Sequence, residues 1–138
     1  MSEEPPTGTA RPTILCIDDD RLVLGVCTNI LQGRGYRVVM ATHGRAGIAI
    51  AQRERPALIL LDVMMPGMDG FEVCRQLRAE PACRHTPIVL MTAMTGPDLE
   101  AQGTAAGATL TIRKPFNLDQ IVSTIEQVLG RKGRPERP

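Results

Sequence analysis

Aromatic side chains are nearly missing from this chain, with one Tyr, two Phe and no Trp in 138 residues. A core of this length must therefore be aliphatic, built from Leu, Ile, Val, Ala and Met. Neither sign of charge prevails: 16 basic against 15 acidic residues leave a net charge of +1, which gives no electrostatic reason to expect nucleic-acid or membrane binding. No apolar run approaches the ~20 residues of a membrane span. The opening Met1-Ser2-Glu3-Glu4-Pro5-Pro6 has no basic region and no apolar segment, so it does not read as a signal peptide. Four cysteines (Cys16, Cys27, Cys74 and Cys83) show no C-x-x-C spacing. Reduced packing cysteines are expected rather than disulfides or zinc ligands, and with them a cytoplasmic location.

What the sequence does contain is a regular alternation of short apolar runs and amphipathic stretches. Residues 1–12 carry three prolines and two glutamates and read as a flexible lead-in; residues 131–138 read as a basic tail or linker stub. Between them, strands are expected at 13–17, 36–40, 57–61, 87–91 and 109–113. Helices are expected at 20–32, 44–54, 70–79, roughly 97–106, and from 118 to just before Gly130. Asp19 or Asp20, Asp69 and Asn117 are natural caps, and Gly33 the natural stop of the first helix. Gly47 weakens the second helix, at about 1 kcal/mol relative to Ala. His43 and His85 fall in loops and read as solvated. Five βα units in succession imply a three-layer α/β sandwich with a five-stranded parallel sheet in the order 2-1-3-4-5.

In such a fold ligands gather at the carboxyl ends of the strands, where this sequence turns polar. The run Leu58-Ile59-Leu60-Leu61-Asp62 ends an apolar strand on a carboxylate, followed by the Pro/Gly loop Met64-Met65-Pro66-Gly67-Met68-Asp69-Gly70. Asp18-Asp19-Asp20, Thr92 and Lys114 leave three other strands in the same way. Carboxylates crowded into one crevice repel one another unless a cation or protons intervene. An oxygen-only donor set favours a hard divalent ion, and magnesium suits one or two carboxylates plus phosphate oxygens. Lys114 supplies a point charge, Thr92 a hydroxyl, and the Ala93 amide an anion donor. Together they suit phosphoryl transfer onto Asp62.

Ile17-Asp18-Asp19, Leu61-Asp62-Val63-Met64-Met65-Pro66-Gly67-Met68-Asp69-Gly70, Met91-Thr92-Ala93 and Lys114-Pro115-Phe116, in this order, resemble the signatures of the receiver domain of bacterial two-component response regulators. The resemblance spans residues 13–130 and implies a flavodoxin-like fold. It implies that Asp62 accepts a phosphoryl group from the histidine of a sensor kinase or phosphotransfer protein. Asp18, Asp19, Asp62 and the Met64 carbonyl would hold Mg2+. Thr92 and Lys114 would engage the phosphoryl group, and the Lys114–Pro115 bond would be cis. Output would pass to an effector protein or a fused output domain through the face of the fourth helix, fifth strand and fifth helix. The chain would be a switch rather than a conventional enzyme.

Two positions depart from the family pattern. Thr111 stands three residues before the lysine, where the family usually has an aromatic that turns inward on activation, so the fourth helix and its preceding loop are expected to carry the signal instead. Met64 and Met94 flank the acceptor and the threonine, and are expected to slow hydrolysis of the phosphate. Two other readings differ in class: a phosphatase of the haloacid dehalogenase type, which wants a second acid where Met64 stands, and a degenerate receiver acting only as a scaffold.

Overall fold

Side-chain alternation along the strands decides how this chain packs. The computed structural model describes residues 11–114 and 117–130. Its strands are β1 (Thr13–Ile17), β2 (Arg37–Ala41), β3 (Leu58–Asp62), β4 (Ile88–Thr92) and β5 (Leu110–Arg113). They form one parallel sheet in the order β2-β1-β3-β4-β5, as the five βα repeats require. The helices are α1 (Arg21–Gly33), α2 (Gly44–Glu54), α3 (Gly70–Ala79), α4 (Leu99–Ala106) and α5 (Leu118–Val128), and one 3-10 turn lies at Pro81–Cys83.

Successive strand residues point to opposite faces, so each central strand feeds two cores. Leu15, Ile17, Ile59, Leu61, Ile88 and Leu90 pack under α2, α3 and α4 with Ala51, Val73, Leu77 and Leu99. Ile14, Cys16, Leu58, Leu60, Val89 and Met91 pack under α1 and α5 with Leu24, Leu31, Ile121 and Ile125. Each fully buried aliphatic side chain contributes about 1.5–3 kcal/mol relative to exposure. All four cysteines are buried and free, and burial raises each thiol above its ordinary range.

Several local expectations are revised. β2, β3 and β4 each begin and end one residue later than periodicity suggests, which makes Asp62 and Thr92 the last residues of their strands. α1 runs through Gly33; the left-handed residue that turns the chain is Gly35, at φ +92°. α4 starts at Leu99 rather than 97, and Asp98 makes no side-chain cap. His43 is not an idle loop histidine: its Nδ1 accepts the Ala46 amide and caps α2. Asp20, Asp69 and Asn117 cap α1, α3 and α5 as expected. Arg78 carries a role that periodicity does not reveal. Its guanidinium donates to the carbonyls of Cys83, Arg84, Thr86 and Gly107, tying α3 to the turn and to the end of α4. No helix among the described residues is long and apolar enough to cross a membrane. The lead-in at 1–10, the tail at 131–138 and the Lys114–Pro115 bond lie outside the described residues.

Gly47 has a packing reason that outweighs its helix propensity. A Cβ there would overlap Ile17 Cδ1 and approach its Cγ1 to 2.9 Å, and Ile17 is fully buried. Gly25, in the middle of α1, has open space around its missing Cβ. Gly47→Ala is therefore expected to lower stability by about 1–3 kcal/mol despite Ala's higher helix propensity. Gly25→Ala is expected to raise it by about 0.5–1 kcal/mol. Urea titration of both variants checks the opposite signs, and a gain for Gly47→Ala would refute the packing account.

Candidate functional site

Three acidic residues leave the carboxyl edge of the sheet close together because β1 and β3 are neighbours. The register pairs Ile17 with Leu61, which sets Asp18 beside Asp62. Asp18 is held by its own amide, which donates to the Ala41 carbonyl at 3.1 Å, and its Oδ1 accepts the Asp20 amide at 2.9 Å. Asp62 is held by a loop folded tightly against it. The Gly70 amide donates to the Val63 carbonyl at 2.8 Å, and a Cβ on Gly70 would come 2.5 Å from the Asp62 carbonyl oxygen. Only glycine permits that approach, so the start of α3 fixes the end of β3.

Asp18, Asp19 and Asp62 each present a carboxylate oxygen within 4.8 Å of the others. Asp18 and Asp62 are buried, whereas Asp19 is exposed. Lys114 Nζ lies 3.1 Å from Asp62 Oδ1 and 3.8 Å from Asp18 Oδ2. One ammonium thus faces three carboxylates. Asp18 Oδ2 is buried and accepts no hydrogen bond among the described residues.

Electrostatics follow from this imbalance. Burial, then the Asp18 charge, push Asp62 up to about 6, although the bonded Lys114 pulls the other way. Asp18 is also raised, chiefly by burial, against the Asp20 amide and Lys114, which lower it. Burial alone would depress Lys114, but the Asp62 carboxylate and the other acids outweigh it and raise the ammonium above its ordinary range.

Thr92 closes β4, fully buried, and its Oγ1 accepts the Met94 amide at 2.9 Å. The Lys114 amide donates to the Thr92 carbonyl at 2.7 Å, joining the two strand ends. Ala93 is exposed, and its amide donates to no group among the described residues, leaving it available to an anion. The Met64 carbonyl likewise receives no hydrogen bond among the described residues. Met64 is 56% exposed, two residues beyond Asp62. Met94 packs, half buried, against the α2–α4 core.

The sequence-predicted acids and lysine therefore converge, with Thr92 and Ala93 at the adjoining strand end. Arg113 escaped the sequence reading. It is the cross-strand partner of Thr92, and its Nη2 reaches the Gly96 carbonyl at 2.9 Å and Glu100 at 3.3 Å. Its position one residue before Lys114, hence on the opposite face of β5, was the available signal.

Known proteins resemble the chain in sequence and in fold. The chain is 43% identical over 104 residues to the response regulator PleD of Caulobacter vibrioides, covering 75% of this chain and 23% of that protein. It spans about half the length of other curated relatives it matches, 51% and 53% of two of them. Among solved structures, the chemotaxis protein CheY4 of Vibrio cholerae superposes with a TM-score of 0.82 at 36% identity, covering 86% of this chain and 99% of that one. The receiver domain of the sensor histidine kinase PA1611 of Pseudomonas aeruginosa, solved with a magnesium ion coordinated in its active-site cleft, gives 0.80 at 28% identity, covering 88% and 99%. The model of the response regulator receiver domain matches residues 14–126, and the chain belongs to that family.

Proposed function

We propose that this chain is the phosphoacceptor receiver of a two-component phosphorelay, with residues 13–130 as the receiver and 131–138 as a tail or linker. Asp62 takes the phosphoryl group from the phosphohistidine of a sensor kinase or histidine phosphotransfer protein. The signal leaves through the α4–β5–α5 face to an effector protein or a fused output domain. The observation that carries this reading is the Asp62–Lys114 contact inside a cluster of three acids.

In the transfer, a carboxylate oxygen of Asp62 attacks phosphorus, the phosphorus–nitrogen bond breaks, and its electron pair returns to the departing imidazole. Lys114 leaves Asp62 to pair with the phosphoryl oxygens, and the Thr92 hydroxyl and Ala93 amide take up another. The acid cluster fits a hard divalent cation: all donors are oxygen, their charge exceeds that of Lys114, and buried Asp18 Oδ2 has no hydrogen-bond donor among the described residues. Asp18, Asp19, Asp62 and the Met64 carbonyl would hold Mg2+, whose charge would neutralise the acids and the incoming phosphoryl group. A turnover phosphatase is disfavoured because Met64 occupies the place of its second acid. A pure scaffold would not require Asp62 and Lys114 to remain paired beside two further acids.

Acetyl phosphate with Mg2+ is expected to add one phosphoryl group to the native chain and none to Asp62→Asn, read by intact mass. The carboxylate is the attacking form; metal-free Asp62 is pushed up to about 6, and Mg2+ bound beside it would lower that value, so with Mg2+ labelling should hold down to about pH 6 and fall only below it. Equal labelling of Asp62→Asn would eliminate the assignment.

Because the folded-state value of Asp62 lies above its ordinary one, its ionisation opposes folding. Its contribution is most favourable below pH ~4 and is lost as pH rises through about 6. Without metal at pH ~7.5, Asp62→Asn is expected to gain about 1–2 kcal/mol of stability. Added Mg2+ should raise the melting temperature of the native chain much more than that of the variant. A destabilised metal-free variant would contradict the repulsion.

Met64→Asn would replace an exposed thioether beside the acceptor with an amide able to orient water. Phosphate loss from Asp62 should accelerate roughly three- to tenfold, about 1 kcal/mol in barrier. Decay of the labelled mass measures it, and a slower variant would contradict the shielding role.

A further inference from the structure

Thr111 leaves β5 without the aromatic that would turn inward, yet the face of β5 toward α4 is well engaged. Ile112 packs under α1 and α5, so alternation sends its neighbours Thr111 and Arg113 to the α4 side. A Cβ on Gly103 would come 2.5 Å from Thr111 Oγ1 and 3.3 Å from Leu90 Cδ1, so α4 sits directly on β5 at two small residues. A side chain on Gly103 would press on both.

One strand residue farther on, two paired residues grip the β4–α4 loop from below. Thr92 and Arg113 are Cα partners across β4 and β5. Thr92 Oγ1 holds the start of the loop through the Met94 amide, and Arg113 Nη2 holds its far end through the Gly96 carbonyl and the Glu100 carboxylate in the first turn of α4. Gly96 sits at φ +133°, a conformation that a side chain would resist, which is what aims its carbonyl at the guanidinium. The hydrogen bond from Arg113, with its charge, holds Glu100 below the usual carboxylate range.

We propose that Arg113 is a positioning residue that couples Thr92 to α4, latching the β4–α4 loop in its resting place through Gly96 and Glu100. The coupling rests on the phosphoacceptor reading. When the Thr92 hydroxyl turns toward a phosphoryl group on Asp62, its bond from the Met94 amide is strained, the loop shifts, and the Arg113 contacts at its other end release α4. Linkage is reciprocal: a chain whose latch is already open should accept the phosphoryl group more readily.

Amide exchange over residues 93–107, together with intact-mass labelling by acetyl phosphate and Mg2+, tests this in the full chain. In the native protein, exchange in this segment should rise roughly fivefold or more on labelling. In Arg113→Ala the unlabelled segment should already exchange at the labelled native rate, labelling should add less than about twofold, and Asp62 should hold several-fold more label at equilibrium with acetyl phosphate and acetate. Arg113→Lys, which retains the charge but not the fork of donors, should fall between the two. Exchange in β1 and β3 should be unchanged in both variants, which separates an open latch from general loosening. If the native chain labels but the labelling-dependent change over 93–107 is equally large in Arg113→Ala, the latch is overturned and the acceptor reading survives. If exchange rises throughout Arg113→Ala without a gain in label held at equilibrium, the residue is merely structural and the proposal also fails. Absence of any label on native Asp62 overturns the acceptor reading and the coupling with it.

Discussion

Repulsion between buried carboxylates at one edge of the sheet, opposed by a single lysine, is the constraint around which the rest of this structure is arranged. Asp62 cannot swing away, because it ends the central strand and its carbonyl is covered by the start of α3 at Gly70. Asp18 cannot retreat, because its amide is bonded to the end of β2 and its Oδ1 to the Asp20 amide. Lys114 is delivered by β5 and anchored through its amide to Thr92. The frame therefore holds together charges that would separate if free to move. A site under such tension takes up positive charge favourably, as a proton at low pH or a cation near neutrality. That is a suitable ground state for receiving an anionic phosphoryl group only once the cluster has been neutralised.

The sequence disclosed the acid–lysine site because polar residues interrupt apolar strands at their exits, and a parallel sheet brings alternate exits together. Asp18, Asp62 and Lys114 needed no more than that rule and the strand order. The one-residue offset of β2, β3 and β4 was not readable, since buried strands do not alternate and their ends are set by pairing with neighbours. Gly47 looked like a flaw in a helix because propensity takes no account of Ile17 beneath it. His43 looked idle because a neutral imidazole is an uncommon cap. The partners of Arg78 and Arg113 were not readable for a shared reason: each long side chain bonds to carbonyls outside its own helix or strand, and periodicity does not record such contacts.

Parity along the strands also explains why chemistry and response can be separated in so small a domain. Asp18, Asp62 and Lys114 continue the alternation that faces α1 and α5, whereas Thr92, Thr111 and Arg113 continue the one that faces α4. Among the described residues a backbone bond, from the Lys114 amide to the Thr92 carbonyl, joins the two sets. Thr92 is thus attached to the acid site by its main chain and to the β4–α4 loop by its hydroxyl.

Thr111 and Gly103 bring α4 directly onto β5, and the Thr92 hydroxyl beside them is bonded to the loop. A displacement of that hydroxyl has the loop as its remaining route, since the strand itself is hydrogen-bonded on both sides. The loop in turn is short, held at one end by a neutral bond to Thr92 and at the other by a charged one to Arg113. The charged contacts lie exposed to water, which weakens them, so the loop is held at both ends by modest bonds. Thr111 and Arg113 thus meet α4 differently: the one packs against Gly103, and the other ties the loop, through Gly96, to the first turn of the helix.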